Sequence, residues 1–224
     1  MQDNIIYYKD LGIIQYADAL EYQQQLFNEN IKAKTESRPT KNTLLLCEHP
    51  HVITIGKNGR DENLLFSEEF LKNKNIALCK TDRGGDITYH GPGQVVAYPI
   101  FDLETLNTGL KGYIHKLEEV MIKVLEFYNI SSSRSEGASG VWIDTDKPSK
   151  IRKIGAIGVR SSRYITMHGF ALNINTDLTC FSLINPCGFT DRGVTSMAKE
   201  TGKQVSMPEI KEKIRILFNE VFLS

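Results

Sequence analysis

Two periods run through the hydrophobic positions of this 224-residue chain. Tyr16, Ala19, Leu20, Leu26, Phe27 and Ile31 recur three and four apart, which predicts a long amphipathic helix. Leu110, Ile114, Leu117, Met121, Val124, Leu125 and Tyr128 predict a second, and Ile210, Ile214, Leu217, Phe218 and Val221 a third. Ser206-Met207-Pro208-Glu209 ahead of the third reads as a capping box with proline in the first turn. A short helix is predicted from Ser67, with Glu68 and Glu69 where the macrodipole favours anions. Shorter β-rich runs read as strands: Asn4–Tyr8, Thr43–Glu48, His51–Gly56, Ile76–Thr81, Gln94–Phe101, Gly140–Asp144, Ile151–Val159 and Tyr164–Ile174. The turns between the last three favour antiparallel hairpins. The pattern predicts an α/β fold bordering on α+β, a mixed sheet with helices on it, in one domain over residues 1–224.

Composition narrows the function. Hydrophobic residues are 41% and charged residues 24%, as in an ordinary soluble domain. Lys plus Arg and Asp plus Glu number 27 each, so no net charge draws the chain to nucleic acid or to a membrane surface. Asp3, Lys9 and Asp10 interrupt the N-terminus, and no apolar run approaches the ~20 residues of a membrane span. The expected location is cytoplasmic. Cys47, Cys79, Cys180 and Cys187 include no C-x-x-C pair, so no metal site is expected.

Two segments depart from ordinary packing patterns. The first is Arg83-Gly84-Gly85-Asp86-Ile87-Thr88-Tyr89-His90-Gly91-Pro92-Gly93-Gln94. Its glycines and proline exclude a regular helix, so it reads as a long ordered loop between strands. It is neither a P-loop nor a dinucleotide fingerprint. The residues alone leave it as a bulged hairpin or as a binding loop with Arg, Tyr and His side chains.

The second is Asn185-Pro186-Cys187-Gly188. Cys47 and Cys79 lie in apolar runs and read as core, and Cys180 reads as packing. Cys187 lies in a turn, where sulfur and backbone N–H groups are available. A thiol needs a proton partner to act as nucleophile at neutral pH. His90, His168 and Lys153 are the candidates. Lys153 either ends a solvated basic run or begins a desolvated strand, Ile154–Gly158, that would lower its pKa.

These motifs together resemble the lipoyl(octanoyl) transferase family. The resemblance covers Glu48-His49-Pro50 to Gly188 and rests on the Arg83–Gln94 segment, Lys153-Ile154 with Gly158, His168-Gly169, and Asn185 to Gly188. It implies the fold shared with biotin and lipoate protein ligases, a large mixed β-sheet plus a smaller sheet, flanked by helices. It implies Cys187 as the acyl-bearing nucleophile and Lys153 as the residue that lowers its pKa. It implies substrate-binding segments at Arg83, Gly84, Gly85, Asp86, Ile87, Thr88, Tyr89 and His90; at Ala156, Ile157 and Gly158; and at Gly169, Phe170 and Ala171, with His168 in support. Phe170 stands where leucine is common in the family, which predicts a narrower acyl tunnel.

The implied reaction moves an octanoyl group from acyl carrier protein to a lysine of a lipoyl domain. The receiving proteins would be 2-oxoacid dehydrogenases and the glycine cleavage H protein. The donor is already a thioester, so neither ATP nor metal is expected. Glycines at 84, 85, 155, 158 and 169 are expected to leave room for the chain, and Lys147, Lys150, Arg152, Arg160 and Arg163 to guide acidic partners. The rivals are an ATP-dependent lipoate–protein ligase of the same fold, a papain-like hydrolase with a histidine base, and a non-catalytic acyl- or biotin-sensing module.

Overall fold

The computed structural model describes residues 5–185 and 193–223. The strands are β1 (Ile6–Ile13), β2 (Asn42–Glu48), β3 (Val52–Ile55), β4 (Ala77–Lys80), β5 (Ile87–His90), β6 (Gln94–Ile100), β7 (Ser133–Ser135), β8 (Ala138–Ile143), β9 (Arg152–Ser162), β10 (Ile165–Asn173) and β11 (Gly193–Val194). The helices are α1 (Tyr16–Thr35), α2 (Glu68–Asn73), α3 (Leu110–Glu126), α4 (Met197–Thr201) and α5 (Met207–Leu223). The large sheet runs β1-β2-β6-β10-β9-β8-β7, with β11 alongside β9, and a small sheet runs β4-β3-β5. Strand pairs β1–β2, β9–β11 and β3–β4 are parallel and the others antiparallel, so both sheets are mixed.

The centre of the large sheet is covered on both faces. Every residue of β6 and β10 is buried, the continuous pattern expected of strands with layers above and below. On one face α3 and α5 supply Leu117, Val120, Met121, Leu217 and Phe218 against Val95, Phe170 and Leu172. Each such side chain contributes roughly 1.5–3 kcal/mol by leaving water. On the other face α1 supplies Ala19 and Phe27 against Val96, Tyr98, Met167 and Ala171. Salt bridges from Arg134 to Glu118 and Glu119 tie α3 to β7.

Local signals set several boundaries. The Ser67 hydroxyl accepts from Phe70 N–H and caps α2, as its sequence predicts. Arg163 and Tyr164 both have left-handed φ, +50° and +65°, which a two-residue β9–β10 hairpin requires. The sequence pattern misses β7, β11 and α4, which are two to five residues long. The Gly-rich segment is also not wholly a loop. Ile87–His90 forms β5, antiparallel to β3, because alternate Ile87 and Tyr89 bury against Ile53 and Ile55.

Candidate active site

Three neighbouring strands of the large sheet form one wall of a cavity. Ala171 of β10 stands opposite Ala156 of β9 and Val96 of β6, and two residues on, Gly169 stands opposite Gly158. Tyr16 at the start of α1 and Arg83, Ile87, Thr88 and His90 of the small-sheet segment also line it. The cavity measures about 110 Å³, several times the roughly 10–15 Å³ that one water needs.

Of the residues expected from sequence, Arg83, Gly85, Asp86, Ile87, Thr88, His90, Lys153, Ala156, Ile157, Gly158, His168, Gly169, Phe170 and Ala171 border this cavity. Gly84 and Tyr89 are not among its lining. The Tyr89 hydroxyl meets His51 Nδ1 at 2.7 Å, and its ring stands edge-on to Phe181, which borders the cavity. Cys187 lies outside the described residues. Asn185 and Gly193, the described residues nearest it on each side, are both fixed: Asn185 N–H donates to Asn63 O and Gly193 N–H to Ile151 O.

A bulge aims Lys153. Trp142 pairs with Lys153 and Val141 with Gly155, so one step on β8 spans two on β9 and Ile154 is the extra residue. Bulges break strand alternation and redirect side chains. Here Lys153 lines the cavity, with Nζ 4.4 Å from the Trp142 ring centroid, a cation–π distance. Gly140, at φ +108°, is required beside the bulge: a Cβ there would stand 2.4 Å from Gly155 O.

A chain of hydrogen bonds fixes this end of the cavity. Lys153 O accepts from Thr195 N–H, and Thr195 O accepts from Asn173 Nδ2 at 3.0 Å. Asn173 Oδ1 accepts from Gln94 Nε2 at 2.9 Å, and Gln94 Oε1 accepts from His90 Nδ1–H at 2.7 Å. The amide of Gln94 is thereby oriented, and His90 carries its proton on Nδ1. Behind His90, the His49 ring donates from Nδ1 to Ile14 O and accepts at Nε2 from the Tyr98 hydroxyl at 2.7 Å. Tyr16 stacks on His90, with centroids 5.9 Å apart. Tyr16, Tyr98 and Asn173 carry no local sequence signal for this role, because they reach His90 and Gln94 only through the tertiary fold, whereas Gln94 closes the Gly-rich segment itself.

Burial keeps three of these histidines neutral. It lowers the pKa of His49 and His168, and that of His90 to about 3. The unfolded chain therefore binds protons that the native state refuses once pH falls below the unfolded histidine pKa of about 6.5. Stability contributed by neutral His90 is complete above that pH and is lost as pH falls towards about 3. We expect the urea midpoint to drop between pH 7 and pH 5, and to drop less in His90→Gln. An equal drop in that variant would mean that His90 is not the source.

Gly84, Gly155 and Gly158 are held by close packing, and Gly85, Gly158 and Gly169 also border the cavity. A Cβ on Gly158 would meet Gly84 O at 2.8 Å, and one on Gly84 would meet Val159 O at 3.0 Å. Gly84 N–H donates to that same Val159 O at 2.9 Å. These glycines clamp the Arg83 loop onto β9. A Cβ on Gly155 would strike Met121 in the opposite core. Phe170 borders the cavity, and its ring stacks on Phe218 of α5. Cys79 is half-exposed rather than core, while Cys47 is buried.

The expected guiding charges are largely balanced within the chain. Lys147 pairs with Asp144, Arg152 with Asp144 and Glu200, and Arg160 with Asp82. Arg163 donates to the Thr35 hydroxyl. Among the described residues no group of three or more His, Cys, Asp or Glu is placed to hold a metal ion. No described helix is long and apolar enough to cross a membrane.

A mixed sheet with a small sheet clamped over its central strands, bordering a cavity with a redirected lysine, defines a two-sheet α/β class of domain with a cavity between the sheets. The chain belongs to the lipoyl protein ligase A/B catalytic domain family, whose model matches residues 15–218. It is similar to the octanoyltransferase of Parabacteroides distasonis, 56% identical over 215 residues, covering 96% of this chain and 97% of that protein. A Bacteroides fragilis octanoyltransferase is 50% identical, covering 92% of each. Among solved structures, lipoate-protein ligase A bound with ATP matches at TM-score 0.68 and 16% identity, covering 98% of this chain and 85% of the other. Biotin protein ligase from Aquifex aeolicus matches at TM-score 0.51 and 12% identity, covering 97% and 68%. At such identities these two structures speak for the fold alone.

Proposed function

We propose that this octanoyltransferase of protein lipoylation carries the acyl group on Cys187, with Lys153 moving the protons. The activity rests on the family and on relatives of 48–56% identity over most of the chain. For the mechanism, the observation that supports the reading most is the bulge at Ile154, which turns Lys153 to the cavity beside Val194. Val194 pairs with Lys153, and Asn185 docks on Asn63, whose amide bonds Asp86 of the cavity wall. The chain carrying Cys187 thus leaves and rejoins the described fold beside the cavity.

The donor is octanoyl thioester on the phosphopantetheine arm of acyl carrier protein. The Cys187 thiolate attacks the carbonyl, the new C–S bond forms, and the arm's sulfur leaves with a proton from the Lys153 ammonium. The lysine ε-amine of a lipoyl domain then attacks the Cys187 thioester. Neutral Lys153 takes the amine's proton as the amide forms and the Cys187 thiolate departs. A backbone N–H aimed at the tetrahedral oxyanion would contribute about 3–4 kcal/mol. The first exchange is thioester for thioester and the second forms an amide, so the donor supplies the driving force and neither ATP nor metal enters.

Mixing the protein with octanoyl-acyl carrier protein alone should add one octanoyl mass, removable by hydroxylamine and located on Cys187. In Lys153→Arg the cation remains but no base is available near neutral pH, so the lipoyl domain should stay unmodified. An adduct on Cys180, or a normal second step in Lys153→Arg, would overturn these assignments. A requirement for ATP would favour the ligase reading, and release of free octanoate the hydrolase.

A further inference from the structure

The bulge at Ile154 turns Lys153 and also changes what Lys153 rests on. Val141 stands opposite Gly155, so in regular register Trp142 would face the apolar Ile154. With Ile154 as the extra residue, Trp142 pairs with Lys153 instead. Residues directly opposite on an antiparallel pair share one face of the sheet. The Lys153 side chain therefore lies along the indole, with Nζ 4.4 Å from the ring centroid. The ring itself is held in place. It is 1% exposed, β7 flanks it through the Ser133–Trp142 pair, and its Nε1–H donates to Ala138 O at 3.2 Å. Lys153, Ile154 and Ser139 line the cavity and Trp142 is not among its lining. The indole thus backs the ammonium and does not meet the substrate.

The proposed reaction explains why an aromatic face suits this place. Lys153 must be an ammonium when it gives up a proton and a neutral amine when it takes one. A carboxylate partner would hold the ammonium by a charge-assisted hydrogen bond and oppose the neutral form. Two carboxylates on neighbouring elements are engaged elsewhere. Asp144, just past β8, pairs with Arg152 and Lys147. Glu200 of α4 pairs with Arg152 and accepts from the Thr195 hydroxyl. Across the cavity stand Arg83, Asp86, His90, His168 and Tyr16. Arg83 stays cationic, Asp86 accepts from the Asn63 amide, and burial keeps both histidines neutral and raises Tyr16. A π face attracts a cation modestly and has no lone pair that could take its proton.

We propose that Trp142 is the positioning residue for Lys153: its ring face holds the ammonium at the cavity for the first proton transfer and releases it as the neutral amine for the second. A substituted indole of unchanged shape but weaker face would keep the wall and lose the hold.

This inference rests on Lys153 moving the protons, and two readouts keep the two claims apart. Trp142 is the one tryptophan of the chain, so indole fluorescence reports on this ring alone. In a Cys187→Ser protein, where no thiolate forms at that position, the emission should pass through a pH step that is absent after Lys153→Met. Emission that titrates identically with and without Lys153 would overturn the pairing. For the role, the octanoyl-enzyme is isolated and its transfer to a lipoyl domain is followed against pH. The rate rises as Lys153 loses its proton. The ring face favours the protonated form, so weakening it moves the midpoint down. Trp142→Leu should lower the midpoint by roughly 0.5–1.5 pH units. Protein grown on mono- or difluorotryptophan, whose fluorines draw electron density from the ring face, should show smaller, stepwise falls. The fluorinated proteins also carry the test if Trp142→Leu does not fold. A midpoint that is unmoved across the fluorinated series, or raised, would make Trp142 a mere wall and overturn the proposal. Wild-type protein that never takes up octanoyl would sink the transfer reading and this role with it, while the fluorescence step would still show whether ring and ammonium meet.

Discussion

Cys187→Ala is expected to lower octanoyl transfer by on the order of 10⁴-fold or more, the scale of losing a covalent nucleophile. The free energy of unfolding in urea should stay within about 0.5 kcal/mol of wild type, because Asn185 and Gly193 on either side hold their own backbone bonds to Asn63 and Ile151. The measurement is the mass of a lipoyl domain after incubation with octanoyl-acyl carrier protein. The other thiols are poor substitutes. Burial pushes the Cys47 thiol far up, and burial also raises Cys79. Cys180 packs in the small-sheet core beside Tyr89 and Phe181. Residual transfer above a tenth of wild type would reassign the nucleophile, and Cys180→Ala would be the next variant to read.

The split between what sequence shows and what it hides has a physical origin. The α1 and α3 faces are legible because a helix repeats its buried side every three to four residues. The Arg83–Gln94 segment is legible as unusual through its glycines, yet not for what those glycines do. Gly84 and Gly158 face each other across 74 residues of chain, and only the docked small sheet shows that they are a clamp. Likewise β5 is hidden because glycines flank it, and its partner β3 lies more than thirty residues earlier. Lys153 reads equally well as the end of a basic run, since a one-residue bulge against β8 leaves no mark in β9 itself. The ring cluster of Tyr16, His49, His90 and Tyr98 is assembled from three elements and the β2–β3 loop. Gln23 and His168, 145 residues apart, share a bond that no periodicity announces.

Gly169→Ala should be strongly destabilising for a single added methyl. Its Cβ would stand 2.1 Å from Ala97 O and 2.6 Å from Pro99 Cδ. Neither obstacle is a flexible side-chain end. Ala97 is a backbone carbonyl of β6, and β6 is held by β2 on its other edge and buried on both faces. Relief would require β6 and β10 to part by more than an ångström in mid-sheet, breaking the Phe170–Ala97 and Ala171–Val96 pairings. Overpacking of a tight interior costs about 1–3 kcal/mol, and disrupting central pairing adds to it, so we expect a loss of about 3 kcal/mol or more. Gly109→Ala is the control, because nothing lies within 4 Å of its Cβ position; as the N-cap of α3, where glycine is preferred over alanine, it should lose only about 0.5–1 kcal/mol. Urea unfolding of both variants checks the pair. A Gly169→Ala protein within about 1 kcal/mol of wild type would mean that the central strands yield, and the cavity wall built on them would then lack the rigidity that fixes Lys153 against its partners.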